Sequence, residues 1–231
     1  MSSVAVVMPT IPSRASSARA TVERLLPQCD RFYVHLDGYA AIPPWMPSEV
    51  RCFVHPQKLG PGVRYSVIPE ENYVLFVDDD LRHPPDYVKQ SIATLKSLGP
   101  KNAIAYHASW WPSGTQPTYR HRKTLMYSAA CSNDHVVSYV GSGTLGLRAS
   151  DLRAIDRRIP EAFCFEDDVW ISSALARAGI RCVRPTTPKD WLCSSNPARS
   201  SLWEQAVKDG FKRRDMCIKA ALALGKWKLT P

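Results

Sequence analysis

No stretch of the 231 residues approaches the roughly 20 consecutive apolar positions that a bilayer-spanning helix needs. The first apolar run, Val4-Ala5-Val6-Val7-Met8, stops at Pro9 and follows no basic residue, so it lacks the form of a secretory leader. The seven cysteines (Cys29, Cys52, Cys131, Cys164, Cys182, Cys193 and Cys217) include no Cys-x-x-Cys pair and no metal-like spacing. An odd count without such pairs predicts free thiols in a reducing cytoplasm, mostly packed as small apolar side chains. There is no internal repeat and no low-complexity segment, and 45% hydrophobic with 22% charged residues excludes a disordered or collagen-like polymer. The length suits one domain, with at most a small appendage.

Acidic residues are scarce in the second half only. Residues 1–100 hold ten Lys/Arg and ten Asp/Glu, whereas residues 101–231 hold twenty basic and eleven acidic residues, the whole of the +9 net charge. A neutral half joined to a basic half suggests two binding tasks; the bland alternative is a solvated basic surface that aids solubility.

The first hundred residues alternate strand-like and helix-like patterns. Val4–Met8, Arg31–Leu36, Val50–Val54 and Tyr73–Val77 read as strands, the last apolar throughout as in a central parallel strand. Ser13–Leu26 reads as a helix capped by Ser13 or Ser16, and Pro85–Leu98 as one with proline at its start and Gly99 at its end. Further strands are expected at Ala103–Tyr106 and Val136–Val140, a helix at Glu166–Ala178, and a basic helical tail from Ser201 to Leu224. The pattern predicts a single α/β domain with a mostly parallel central sheet and helices on both faces.

Asp78-Asp79-Asp80 directly follows the fourth strand, where open α/β sheets bind ligands. Three adjacent carboxylates repel one another and call for a cation. Side chains at i and i+2 of an extended segment point the same way, so Asp78 and Asp80 share a site while Asp79 points elsewhere. A hard divalent cation, Mn²⁺ or Mg²⁺, with phosphates completing its shell fits this pattern; the alternative is an acidic turn. Upstream, Lys58-Leu59-Gly60-Pro61-Gly62-Val63-Arg64 is a glycine-containing loop with two cations, suited to a diphosphate or merely to a turn.

These pieces, in this order, resemble the GT-A-fold glycosyltransferases, especially the large family-two group. The resemblance rests on Met8-Pro9-Thr10-Ile11-Pro12-Ser13-Arg14, Leu36-Asp37-Gly38, Leu59-Gly60 to Arg64, and Phe76-Val77-Asp78-Asp79-Asp80, and spans most of residues 4–180. It implies a nucleoside-diphosphate-sugar donor held by the first hundred residues. Thr10, Arg14 and Asp37 would meet its base and ribose end, and Gly60 and Arg64 its diphosphate. Asp78 would face ribose or metal with Asp79 beside it, and Asp80 would ligate the metal directly. The late metal-binding histidine of some relatives has no counterpart, since no histidine follows His135; the cation is then left to Asp80, the diphosphate and water.

A second acidic group, Glu166-Asp167-Asp168, opens the helix that runs to Gly179. It reads either as a dipole-favoured helix start or as a general base for an acceptor hydroxyl. The family carries an acidic pair before a helix resembling Leu175-Ala176-Arg177-Ala178-Gly179, which implies Asp168 as base with Asp167 the neighbouring candidate. Between the two acidic groups, Val140-Gly141-Ser142-Gly143-Thr144-Leu145-Gly146-Leu147 has three glycines in six residues, which let an acceptor approach the backbone or permit a bulge. Trp110 and Trp111 must point to opposite faces of a strand, so at least one is expected to be exposed for stacking. Glu166 joins Trp110, Trp111 and Gly143 as an acceptor-side candidate.

The basic second half (residues 101–200) and the tail (201–231) point to an anionic acceptor. A surface-glycan or phospholipid-linked precursor, reached at a membrane face, is one reading. Hydroxymethylated DNA, flipped into the pocket, is the other. A nucleotidyltransferase would use the same sheet and metal logic, and a non-catalytic nucleic-acid-binding module would leave the carboxylates structural.

Overall fold

The computed structural model describes residues 2–195 and 202–230, together with the backbone but not the side chain of Trp203. The strands are β1 (Val4–Thr10), β2 (Arg31–Asp37), β3 (Arg51–His55), β4 (Tyr73–Phe76), β5 (Leu81–Arg82), β6 (Asn102–Ala105), β7 (Ala108–Trp110), β8 (Lys123–Leu125), β9 (His135–Val137), β10 (Tyr139–Val140), β11 (Leu145–Arg148), β12 (Arg181–Arg184) and β13 (Cys193–Ser194). The helices are α1 (Ala15–Leu25), α2 (Tyr87–Leu98), α3 (Ala149–Ala154), α4 (Asp167–Arg177), α5 (Leu202–Lys208) and α6 (Lys212–Ala223). None is long and apolar enough to cross a membrane among the described residues.

Eight strands form the main sheet in the order β3-β2-β1-β4-β11-β6-β12-β9. Pairs β3/β2, β2/β1, β1/β4 and β6/β12 are parallel, whereas β11 runs antiparallel between β4 and β6, and β9 closes the edge antiparallel to β12. The sheet is therefore mostly parallel, with a reversed strand at its centre.

Strand pleating explains the two cores, because successive side chains leave opposite faces. Val4, Val6 and Met8 pack with Ala18, Val22 and Leu25 of α1 and with Val88, Ile92 and Leu95 of α2. Ala5 and Val7 face the other way, into a layer with Leu152 of α3 and Ile171, Ala174 and Leu175 of α4. Helices cover both faces, as expected. A third cluster joins α4 to α6 through Val169, Trp170, Phe211, Cys217, Ile218 and Trp227.

Several expected elements are redrawn. The single strand expected at Val136–Val140 is split at Ser138: β9 belongs to the main sheet, while β10 joins the small sheet β10-β7-β8. The tail is two helices, not one, because Gly210 and Phe211 both take positive φ (69° and 66°) and break the helical path. Ser201, where that tail was expected to start, lies outside the described residues. Helix α1 is preceded by a short turn at Pro12–Arg14, and neither Ser13 nor Ser16 caps it, since its first-turn position makes no side-chain cap bond. Strand β12 had no counterpart in the sequence reading. All seven cysteines are free, but only Cys131, Cys182 and Cys217 are buried.

Leu75 sits on β4 between β1 and β11 and is 1% exposed. Leu75→Ala is expected to cost about 2–5 kcal/mol of stability, measured by urea unfolding; a loss below that range would show that the site collapses around the cavity.

Candidate active site

The carboxyl ends of β1, β2 and β4 open into one cavity of about 440 Å³, where the parallel strands release their loops. Its wall includes Thr10, Arg14, Asp37, Gly60, Arg64, Asp78, Asp79, Asp80, Gly143, Glu166, Asp167 and Asp168. The two acidic groups, more than eighty residues apart in sequence (78–80 and 167–168), thus share one cleft.

Arg64 holds them together. It is 2% exposed; its Nη2 donates to Asp78 Oδ1 at 2.8 Å, and its Nε lies 3.5 Å from Asp167 Oδ2. Burial works against this charge, yet Asp78 and Asp167 raise the Arg64 pKa above its ordinary value. Its Nη1 is buried without a hydrogen-bond partner among the described residues.

The three aspartates lie where the chain turns after β4, and they differ in burial. Asp79 turns inward, 2% exposed, accepting from Thr10 Oγ1 at 2.7 Å and Arg14 Nη1 at 2.9 Å. Burial pushes its carboxyl up to about 6 against the pull of Arg14 and Thr10. Thr10 and Arg14 are therefore engaged with the acidic loop, and Arg14 also lies 3.1 Å from Asp80 Oδ2. Asp37 likewise accepts from the backbone N–H groups of Leu59 (2.6 Å) and Gly60 (3.1 Å), pinning the glycine loop against β2. Gly60 has φ +83°, and a Cβ there would come within 2.8 Å of the Cys164 carbonyl.

Asp78 and Asp80, unlike Asp79, line a neighbouring cavity of about 510 Å³ as well as the first. Burial and then the Asp78 charge raise the Asp80 pKa. Two hard oxygen donors in mutual repulsion fit Mn²⁺ or Mg²⁺ chemically. Among the described residues no three His, Cys, Asp or Glu side chains form a metal cage, so phosphate and water oxygens would have to complete the shell. Gly143 makes room for this arrangement: a Cβ there would lie 1.9 Å from the Asp78 carboxyl carbon.

Asp168 stands between the two cavities and lines both. The Ser142 N–H donates to its Oδ1 at 2.7 Å and the Tyr139 hydroxyl to its Oδ2 at 3.1 Å. Asp167 lines only the first cavity of these two. Glu166, at the start of α4, accepts from Arg214 Nε at 2.9 Å and so ties α6 to the site.

Two expectations fail. Trp110 ends β7 and Trp111 follows it, and neither is exposed. Trp111 is 1% exposed in the third core cluster, and half-buried Trp110 packs on the second core and stacks with His135 at 6.4 Å. Neither lines either cavity. The second cavity is lined instead by Tyr119, Arg122, Tyr127, His107 and Arg214, among others. Arg122 and Arg214 stood in the basic runs of the sequence; nothing in the local pattern marked Tyr139 or His107.

The structure resembles solved GT-A-like glycosyltransferases. A mannosyltransferase from Pyrobaculum calidifontis, solved with GDP-Man and Mn²⁺, matches with a TM-score of 0.59 at 15% identity over 100% of this chain and 66% of its own, so this chain spans about two thirds of it. Glucosyl-3-phosphoglycerate synthase from Mycobacterium tuberculosis, solved with Mn²⁺, UDP and glucosyl-3-phosphoglycerate, matches with a TM-score of 0.59 at 14% identity over 100% of this chain and 81% of its own. No family model and no curated protein sequence matches. The fold is thus the mixed α/β fold of GT-A-like glycosyltransferases.

Burial raises the Asp167 carboxyl from 3.8 to about 7; Arg64 opposes the shift, while Asp168 and Asp78 add to it. Between those pH values the folded chain keeps a proton that the unfolded chain has released, so this group lowers stability as pH rises through that window. Asp167→Asn should flatten the decline between about pH 4.5 and about pH 7.5, by something on the order of 1–4 kcal/mol. Urea unfolding of both proteins at the two pH values checks it; an unchanged slope would contradict the assignment.

Proposed function

We propose that this protein is a metal-dependent glycosyltransferase that moves a sugar from a nucleoside-diphosphate donor to a hydroxyl of an anionic acceptor. The convergence of Asp78–Asp80 and Asp167–Asp168 on one cleft at the strand ends carries this reading. The fold supports it, as do the Mn²⁺ and the nucleotide or nucleotide sugar of the two neighbours named above. In this reading residues 1–100 form the donor half, residues 101–200 the acceptor half, and the basic helices after residue 201 the acceptor's outer wall.

The first cavity takes the donor. Lys58 and the β1 loop flank its nucleotide end, with Asp37 holding the backbone of Leu59 and Gly60 and with Thr10 and Arg14 holding the Asp79 carboxylate. The partnerless Nη1 of Arg64 is a donor placed for a diphosphate oxygen. Asp80 and Asp78 would hold a divalent cation, which when bound neutralises charge on the departing diphosphate.

Asp168 acts as the base. It borders both cavities, and Tyr139 and the Ser142 N–H fix its orientation, whereas Asp167 is committed to Arg64. As the acceptor oxygen bonds to the anomeric carbon, the bond to the diphosphate breaks, its electron pair leaves on the phosphate oxygen, and the hydroxyl proton passes to Asp168. A single displacement from the opposite face inverts the anomeric centre. A surface-glycan or lipid-linked precursor, or hydroxymethylated DNA, would meet the exposed lysines of α5 and α6, such as Lys208, Lys212 and Lys219.

Asp80→Asn is expected to abolish Mn²⁺-dependent sugar transfer while leaving the thermal unfolding transition in place. Asp168→Asn should keep nucleotide binding in a thermal-shift screen of nucleotide sugars with Mn²⁺ and lower turnover by at least about a hundredfold. Ordinary turnover in Asp168→Asn would remove it from the base role.

A further inference from the structure

The second cavity has a polarity that the first does not explain. Its lining combines three carboxylates, Asp78, Asp80 and Asp168, with two guanidiniums, Arg122 and Arg214. Both guanidiniums stack on the ring of Tyr119, at 3.3 Å and 4.4 Å from its centroid. Two like charges on one ring repel unless each is balanced. Arg214 is balanced by Glu166 at 2.9 Å. Arg122 forms no ion pair among the described residues: its Nη1 donates to the Tyr119 carbonyl at 2.7 Å, and its buried Nε has no hydrogen-bond partner.

The position of this cation is fixed relative to the base. Arg122 also lies 5.6 Å from the Tyr139 ring centroid, and the Tyr139 hydroxyl donates to Asp168 at 3.1 Å. The guanidinium and the carboxylate therefore both neighbour Tyr139 and line the same hollow. The charge on Arg122 belongs to a hollow of about 510 Å³, a size that suits a small molecule.

We infer that Arg122, backed by Tyr119 and Arg214, is the anion subsite of the acceptor, and that the acceptor is a small polyol bearing a phosphate or carboxylate a few bonds from the hydroxyl that meets Asp168. This rests on the glycosyltransferase reading and narrows it. The guanidinium offers a planar fork matched to either anion, and the low exposure of its surroundings strengthens the contact. A free phosphorylated polyol and the headgroup of a phospholipid share this chemistry.

Calorimetry on the full chain separates the possibilities. The titrants are sn-glycerol 3-phosphate, glycerol and inorganic phosphate, followed by phosphatidylcholine vesicles with and without phosphatidic acid, each with and without saturating Mn²⁺ and UDP or GDP to fill the first cavity. Glycerol phosphate should bind and glycerol should not, with Arg122→Gln weakening the phosphate probe by roughly ten- to a hundredfold. Arg122→Lys should recover part of the loss, and nucleotide affinity should stay unchanged in both variants, which verifies that they fold. Arg122-dependent binding of phosphatidic acid vesicles alone would support the subsite with a lipid source. Equal affinity for glycerol and its phosphate, or phosphate or vesicle binding indifferent to Arg122, would overturn it. Nucleotide binding without phosphate binding would sink the subsite alone; phosphate binding without any nucleotide binding would sink the transferase reading and leave the subsite standing.

Discussion

The buried guanidinium of Arg64 is the constraint on which the candidate active site depends. Carboxylates from two distant parts of the chain, Asp78 after β4 and Asp167 at the start of α4, would repel each other across the cleft without it. Burying such charges is costly unless they are paired, and burial, with neighbouring carboxylates adding to it, raises the carboxyls of Asp79, Asp80 and Asp167. The fold tolerates this frustration at one place, the rim where the strands end. Elsewhere aliphatic and aromatic residues pack both faces of the sheet.

Much of this was legible before any coordinates. The apolar run Tyr73–Val77 followed by three aspartates marked both a central strand and the position of the cleft. The period-two rule set Asp79 apart from Asp78 and Asp80; Asp79 is the buried one, bonded to Thr10 and Arg14, but the chain turns at Asp79 and Asp80, and Arg14 reaches both carboxylates. What escaped was non-local. Strand β12 reads Arg181-Cys182-Val183-Arg184, a pattern with charged ends whose burial comes from its neighbours β6 and β9. The tryptophans misled for a related reason: pleating gives their directions, but only tertiary packing says whether each direction meets solvent. Here Trp111 is sealed in the α4–α6 cluster, and Trp110 is half-buried against the second core.

The tail also changed standing. A basic C-terminal stretch reads as an appendage, yet Arg214 reaches the cleft, pairs with Glu166 and lines both cavities, while Trp227 donates to the Ser138 carbonyl at 2.8 Å. The kink at Gly210 and Phe211 turns α6 back across α4. Part of the positive charge that looked like a surface feature is therefore interior, where it is spent on the acidic residues around it.

The segment from Gly141 to Thr144 forms part of the wall of the second cavity and is bonded in two directions. The Asp78 N–H donates to the Gly143 carbonyl at 3.2 Å, and the Ser142 N–H donates to Asp168 at 2.7 Å. A short length of main chain thus acts as a ruler between the loop that would receive the leaving group and the carboxylate that would meet the incoming hydroxyl. Peptide geometry is far stiffer than a side-chain rotamer, so this spacing is set by residue count: lengthening the ruler by one residue would alter the gap even if every named side chain were kept.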